Sequence, residues 1–276
     1  MRVVLTGASG IVGHFVAAAL REAGHEVTPL DRAHGWQLGQ DAPLAGHDAL
    51  IHAAFAHAPG RYRGGEGEDP TGFVTANLDH SLCLFDQAMG AGVGRILFLS
   101  SRAVHDGHPA GTRLTDDLTP APTSLYGQVK AGAEAHLATL RRRIATCALR
   151  ATGVYGPGRG EKWNDLIANY RAGRPVTPRV ATEVHGADLA KALLILLEHP
   201  APPPTVNCSD LILDRHDLLT MVRDVTGCPH PPPERADASG LRIPDCSALQ
   251  AAGWRPGGMS VLKKTLERMP AVTGDA

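Results

Sequence analysis

Tyr126 and Lys130 stand four residues apart in Tyr126-Gly127-Gln128-Val129-Lys130, a stretch that continues with helical periodicity through Glu134, Leu137 and Leu140. That spacing is about one helical turn, so both side chains leave one face. A free tyrosine titrates near ~10 and is a poor base at neutral pH. An ammonium beside it stabilises the phenolate and lowers that value. The apolar run Arg95-Ile96-Leu97-Phe98-Leu99 reads as a strand and ends in Ser100-Ser101. Ser101 can hydrogen-bond a substrate hydroxyl or carbonyl oxygen. Together the three groups form a proton-transfer device for interconverting C–OH and C=O beside a nicotinamide, whose ribose the lysine can also hold.

Such chemistry needs a dinucleotide, and the first residues offer a place for one. Arg2-Val3-Val4-Leu5 is a buried strand by pattern. Thr6-Gly7-Ala8-Ser9-Gly10-Ile11-Val12-Gly13 follows at once, and Phe15, Val16, Ala18, Ala19 and Leu20 then recur at helical spacing. In this strand–turn–helix context Gly7 permits a tight turn, Gly10 lets a pyrophosphate approach, and Gly13 lets the helix sit close on the strand. The helix N-terminus adds N–H donors and a positive dipole end. Gly7, Ser9, Gly10, Ile11, Val12 and Gly13 are therefore candidate dinucleotide contacts. A second strand, Glu26 to Leu30, ends at Asp31-Arg32. An acid there can bind the adenosine ribose and would repel a 2′-phosphate, which favours NAD. Arg32 could instead accept that phosphate, so NADP is the alternative.

The elements that must position these groups alternate. A brief strand is expected near Trp36 to Leu38, in a truncated unit. Asp48 to Ala54 reads as the next strand, ending in small residues that leave room for a ligand. A glycine-rich loop from His57 to Glu68 could cover a substrate. A long helix then begins at Asp69-Pro70, and Ile144 to Arg150 forms a further strand. Ala151 to Gly160, rich in Gly and Pro, reads as a loop leaving the sheet. Helices are expected at 163–172, 186–198 and 214–226 and from near Ser260, with strand-like pieces at 176–177, 182–184 and 205–208.

The composition narrows the function classes. The chain has 276 residues, 43% hydrophobic and 20% charged, with a formal charge of −1. These are globular values, and nothing steers the chain towards nucleic acid or an anionic membrane. No stretch is long and apolar enough to span a bilayer, and the first strand starts at residue 2 without a signal peptide, so a cytoplasmic protein is expected. The five cysteines have no CxxC spacing and suggest neither disulfides nor zinc; Cys83 and Cys147 read as small buried hydrophobes. Arg141-Arg142-Arg143 reads as a cap on a helix C-terminus. His185 and Asp188 are too few for a metal site.

At this point the chain resembles the extended branch of the short-chain dehydrogenase/reductase superfamily, the NAD-dependent epimerases and dehydratases. The stretches that carry the resemblance are TGASGIVG (6–13), DALIHAA (48–54), LSSRAV (99–104), YGQVK (126–130), LRATGVYGPG (149–158) and VHGADLAKAL (184–193). The resemblance implies that Tyr126 is the general acid/base, that Lys130 binds ribose and tunes the tyrosine, and that Ser101 assists. It implies that Ala53 and Ala54 line the cofactor cleft and that the loop from Ala151 to Gly153 approaches the nicotinamide. It makes Asn77 a candidate for a proton relay, with a helix-interior hydrogen bond as the alternative. It also suggests a homodimer through the helices at 69–91 and 126–142.

Three departures bear on substrate. Val104-His105-Asp106 stands where the family has VYG. Arg102-Ala103 replaces the Asp-Glu pair of sugar dehydratases, which disfavours dehydration. Gly153 stands where nucleotide-sugar epimerases often carry an asparagine that helps bind the diphosphate. The expected fold is α/β, a Rossmann-type doubly wound parallel sheet of about six or seven strands over residues 1–155. A small C-terminal mixed α/β substrate lobe covers 156–276, with some segments returning to the first domain. The expected function is NAD-dependent epimerase or dehydrogenase action on a sugar or nucleotide-sugar secondary alcohol, a small-molecule substrate. The alternatives are an NADP-dependent reductase or sugar-acid dehydrogenase of the same superfamily and a non-catalytic dinucleotide sensor.

Overall fold

The computed structural model describes residues 1–56, 66–158 and 161–268. Strand β1 (Arg2–Thr6) passes through the glycine turn into helix α1 (Gly13–Glu22), and β2 (Glu26–Leu30) and β3 (Ala49–His52) follow. A split helix comes next: α2 (Pro70–Val74), one π turn (Thr75–Asp79) and α3 (His80–Gly90). β4 (Arg95–Ser101) ends in a 3-10 turn (Arg102–His105), and the short β5 (Arg113–Leu114) leads to α4 (Leu125–Leu140) and β6 (Ala145–Ala151). Then come β7 (Gly153–Tyr155), α5 (Asn164–Arg171), β8 (Val180–His185), α6 (Gly186–Glu198) and β9 (Thr205–Cys208). β10 (Leu211–Asp214), α7 (Arg215–Thr226), β11 (Ile243–Pro244), α8 (Ser247–Ala251) and α9 (Gly258–Arg268) complete the order.

The expected Rossmann-type sheet is present, with order β2-β1-β3-β4-β6-β9 and parallel pairing throughout. Its strands are apolar on both faces because both faces are covered. Alternate residues sort by side, as the two-residue period of a strand requires. Val3, Leu5, Ile51, Leu97 and Leu149 pack with Val16 and Leu20 of α1 and Leu189 and Leu193 of α6. Val4, Leu50, Ile96, Phe98 and Ala148 pack with Leu84 and Phe85 of α3 and Ala133 and Leu137 of α4. A smaller mixed sheet, β10-β8-β7, joins β8 to β10 antiparallel and to β7 parallel. Its core combines Tyr155, Trp163, Leu211 and Leu213 with α5, α7 and α9. Helix α6 and strand β9 lie beyond residue 156 in the chain yet belong to the large sheet's layers.

Several expectations are corrected. No strand forms at Trp36 to Leu38; Leu38 meets Gln40 through one isolated bridge. The segment is short, and its indole turns inward, buried and donating to the Asp41 carbonyl. β2 is therefore the sheet edge. Residues 176–177 carry no strand, whereas Gly153–Tyr155, read as loop, is strand β7. Cys83 is exposed, since the buried face of α3 is Ser81, Leu84, Phe85 and Ala88. Arg141 does follow α4, but its guanidinium bonds the carbonyls of Thr146 and Pro202 rather than the helix end. Of the loop from His57 to Glu68, residues 57–65 lie outside the described residues.

Backbones meet closely in the turn after β1. Gly7 adopts a φ of 70°, and a Cβ on it would lie 2.8 Å from the Ala54 backbone. A Cβ on Gly13 would penetrate the Gly7 carbonyl oxygen, so the start of α1 is pressed onto the turn itself. Gly13→Ala must push the helix off the turn. Overpacking of this kind costs about 1–3 kcal/mol, and the variant should melt several degrees lower; a wild-type melting curve would contradict the contact.

Candidate active site

One cavity of about 1190 Å³ opens at the C-terminal ends of β1, β3, β4 and β6 and is roofed by the smaller sheet. That exceeds the usual ~300–1,000 Å³ of a small-ligand pocket. The candidate cofactor and catalytic residues Gly7, Ser9, Gly10, Ile11, Val12 and Gly13, Asp31 and Arg32, Ala53 and Ala54, and Ser101, Tyr126 and Lys130 all line it, while Asn77, the relay candidate, does not.

At one end no side chain caps α1; the His14 and Phe15 N–H groups bond the Gly10 and Val12 carbonyls, while those of Ile11, Val12 and Gly13 have no acceptor among the described residues and are left for an anion. Asp31 accepts from the Ser9 backbone N–H at 2.7 Å and from the His34 N–H and ring nitrogen at 3.1 and 2.7 Å. Burial would raise its pKa, but these bonds from His34 and Ser9 outweigh burial and hold the carboxyl below its usual range. Arg32 is exposed.

At the other end two elements converge. Ser101 caps the 3-10 turn, its Oγ accepting from the Ala103 N–H at 3.2 Å. Its hydroxyl proton has no acceptor among the described residues. Ser124 caps α4 by accepting from Gly127. A Cβ on Gly127 would lie 2.6 Å from the Ala103 carbonyl oxygen, so a residue without one lets α4 press against the turn that follows Ser101. Tyr126 is thereby brought to the strand end. Phe55 meets its ring edge to face at 5.1 Å.

Lys130 is 4% exposed and its Nζ donates to the Leu99 carbonyl at 2.8 Å. It lies 4.4 Å from the centre of the Phe55 ring, 4.6 Å from Phe98 and 5.9 Å from Tyr126. Burial pushes its pKa down to about 7, against the pull of Glu134 one turn on. Glu134 is itself bridged by Arg150 of β6, with contacts from 2.7 to 3.1 Å, and accepts from Ser100 at 2.5 Å. Arg150 also donates to His105 at 3.0 Å; burial and Arg150 push His105 down to about 4, so the residue in place of the family's tyrosine is a neutral acceptor.

The floor under Ala53 and Ala54 is fixed by a directed chain of hydrogen bonds. Thr6 Oγ accepts from both of their N–H groups at 3.2 Å. Its single proton therefore goes to His52 Nδ1, 2.7 Å away. His52 Nε2–H then donates to Ser81 at 2.9 Å, and Ser81 donates to the Asn77 carbonyl at 2.6 Å. Burial first, and then the Lys130 charge, push His52 down to about 3, so it stays neutral. Asn77, in the π turn, accepts from the Ala56 N–H at 2.6 Å and donates to the Ala56 and Phe73 carbonyls. Its amide is thus a clamp on the strand extension, the helix-interior alternative to a relay.

Sequence reasoning missed Phe55, Arg102, Lys162, Arg179, Glu183 and Arg215, which also line the cavity. Phe55 follows the small pair Ala53-Ala54 and carries no spacing signal. Lys162, Arg179, Glu183 and Arg215 arrive from the lobe through tertiary packing alone. His185 caps α6 by accepting from Ala187, in keeping with a hydrogen-bonding role.

The buried lysine makes a stability prediction. Its folded pKa, about 7, lies below the unfolded 10.5. Below about pH 7 both states are protonated and the full burial penalty is present; it disappears as pH rises from about 7 to 10.5. Lys130→Met should therefore have a higher urea midpoint than wild type at pH 7, and the gap should close towards pH 10. A gap independent of pH would contradict a charged buried lysine.

Comparison with known proteins follows the same lines. The UDP-glucose 4-epimerase of Corynebacterium glutamicum is 28% identical over 93% of this chain and 91% of its own length. A UDP-N-acetylglucosamine 4-epimerase from Methanobrevibacter ruminantium, solved with UDP-N-acetylmuramic acid, superposes with a TM-score of 0.80 at 20% identity, covering 96% of each chain. The UDP-glucose 4-epimerase of Thermus thermophilus, solved as its NAD complex, gives 0.75 at 22% identity over 100% of both chains. At such identities the structural likeness speaks for the fold. Residues 3–209 match the model of the NAD dependent epimerase/dehydratase family, and the chain belongs to that family.

Proposed function

We propose that the protein is an NAD-dependent epimerase or dehydrogenase acting on a secondary alcohol of a sugar or nucleotide-sugar. The observation that carries this reading is the meeting of Ser101, Tyr126 and Lys130 in the same cavity as the glycine turn and Asp31. The residues fit a dinucleotide: the glycine turn lines the cavity with no side chain at Gly7, Gly10 or Gly13, no side chain caps α1, and an acid ends β2. The turn and the N-terminus of α1 would hold the pyrophosphate, Asp31 the adenosine ribose and Lys130 the nicotinamide ribose. Family membership and the NAD complex of the Thermus thermophilus epimerase support NAD as the cofactor.

When bound, the nicotinamide supplies reversible hydride acceptance at a carbinol carbon. Ser101 donates its unspent proton to the substrate oxygen and orients it. Tyr126 takes the hydroxyl proton as the carbonyl forms and gives it back on reduction. Lys130, while protonated, stabilises the phenolate of Tyr126. Phe55 and Phe98 keep water from that charge. Return of hydrogen to the opposite face of the substrate carbon would make the protein an epimerase; release of the oxidised substrate would make it a dehydrogenase. A sensor would need the turn and Asp31 but not the three groups at the far end.

Tyr126→Phe should lower turnover of a reactive UDP-sugar at least a hundredfold while NAD affinity changes less than threefold; unchanged turnover would sink the mechanism. Wild type should bind NAD at least tenfold tighter than NADP in a fluorescence titration. Asp31→Asn, which keeps an acceptor but removes the charge, should narrow that ratio, and a preference for NADP in wild type would refute the role given to Asp31.

A further inference from the structure

The lobe side of the cavity carries an ion pair that the proposed chemistry leaves unused. Gly153 opens β7 and pairs in register with Glu183 of β8, and Lys162 closes directly onto the Glu183 carboxylate. A Cβ on Gly153 would lie 2.6 Å from Lys162 Nζ and would overlap Glu183 Oε2. The pair therefore occupies the volume that any side chain at position 153 would need, and glycine is what admits it. The two side chains are 22% and 9% exposed, and both line the cavity.

Register puts the pair beside the reacting groups. Ser101 pairs with Ala151 of β6, and Gly153 begins the next strand just beyond. Arg102 and Arg179 line the same stretch of wall. Burial raises the pKa of Glu183 in spite of Lys162, Arg179 and Arg102, and burial lowers that of Lys162 in spite of Glu183. Both groups thus bear the cost of desolvation. Stability does not account for them, because apolar side chains of similar volume serve a fold as well as a buried pair or better. A carboxylate accepts about four hydrogen bonds and an ammonium donates three. Among the described residues the Glu183 carboxylate has Lys162 as its one hydrogen-bond donor, and Lys162 has Glu183 as its one acceptor. The remaining capacity stands at the cavity wall.

We propose that the Lys162–Glu183 pair is the specificity determinant of the substrate end, binding adjacent hydroxyls of a polyhydroxylated ring next to Ser101. Glu183 accepts from one hydroxyl and Lys162 donates to the neighbouring oxygen. An aliphatic alcohol of the same size cannot satisfy the pair and is rejected, because a site built around buried polar groups penalises a ligand that leaves them unmatched. The inference rests on the sugar-type substrate of the proposed function, but not on Tyr126.

The test is equilibrium binding to the protein loaded with NADH, using UDP-glucose and free glucuronate as probes and UDP as the ringless control. A double variant, Lys162→Met with Glu183→Leu, removes both charges together and leaves neither unpaired. Wild type should bind UDP-glucose tighter than UDP, or bind glucuronate. The double variant should bind that probe at least tenfold weaker, with its melting temperature unchanged or higher and its NADH and UDP affinities within twofold. Probe binding unchanged in the double variant would overturn the proposal, as would a wild type that distinguishes neither probe from UDP or buffer. Turnover by Tyr126→Phe bears on the chemistry alone, so failure of either claim is recognisable without the other.

Discussion

A lysine ammonium held inside apolar packing is the constraint around which the site is arranged. Lys130 has the Leu99 carbonyl for a hydrogen bond and the faces of Phe55 and Phe98 for its charge, in a place where burial works to strip its proton. Such a group persists only where the surrounding structure satisfies it. Its reach to the end of β4 sets how α4 lies on the sheet. With α4 so placed, Tyr126, one turn earlier, stands by the strand end that carries Ser101. Glu134, one turn later, reaches Arg150 on the next strand. One helix face therefore ties the chemistry to two adjacent strands, and the Glu134–Arg150 bridge keeps the acid close enough to oppose loss of the Lys130 proton.

The nucleotide side obeys a different constraint, closeness of backbones. The Gly7 turn lies directly on Ala53 and Ala54, and Gly13 lies on Gly7. Contacts of this kind tolerate little slippage, and two polar devices prevent it. The chain from Thr6 through His52 to Ser81 locks β1 to β3 and to α3, while Asn77 grips Ala56 from the π turn. An unwound turn in a helix otherwise suited to regular packing agrees with the tendency of π turns to occur at functional sites. His52 serves this role only because it is neutral: a second charge beside Lys130 would make the buried ammonium harder to keep.

What was legible in the sequence was whatever is local and periodic. The βα alternation, the glycine turn in its strand–helix context and the Tyr126–Lys130 spacing are each written within a few turns of chain. Ser101 could be found because a strand ends there. The edge at β2 was not legible: Trp36 and Leu38 look like strand residues, and only the three-dimensional core decides that the indole turns inward. β7 was hidden by the glycines and proline of residues 151–160, a composition that reads as loop. Cys83 looked buried because its neighbours are apolar, yet the helix phase turns it outward. The lobe side of the cavity was the least legible part. Glu183 is joined to Gly153 by sheet register and Lys162 reaches it from the turn before α5, and a missing side chain leaves no motif.

On the proposed chemistry, hydrogen leaves and returns at one carbon without solvent exchange, and Tyr126 handles the proton separately at oxygen. Isotope followed through one turnover distinguishes the two. Deuterium placed on the reacting carbon of a UDP-sugar should be found on the nicotinamide or returned to the product, and a reaction run in heavy water should leave that carbon free of solvent deuterium. Solvent deuterium incorporated at the reacting carbon would mean that a proton, not a hydride, is removed there, and would contradict the roles given to Tyr126, Lys130 and the dinucleotide together.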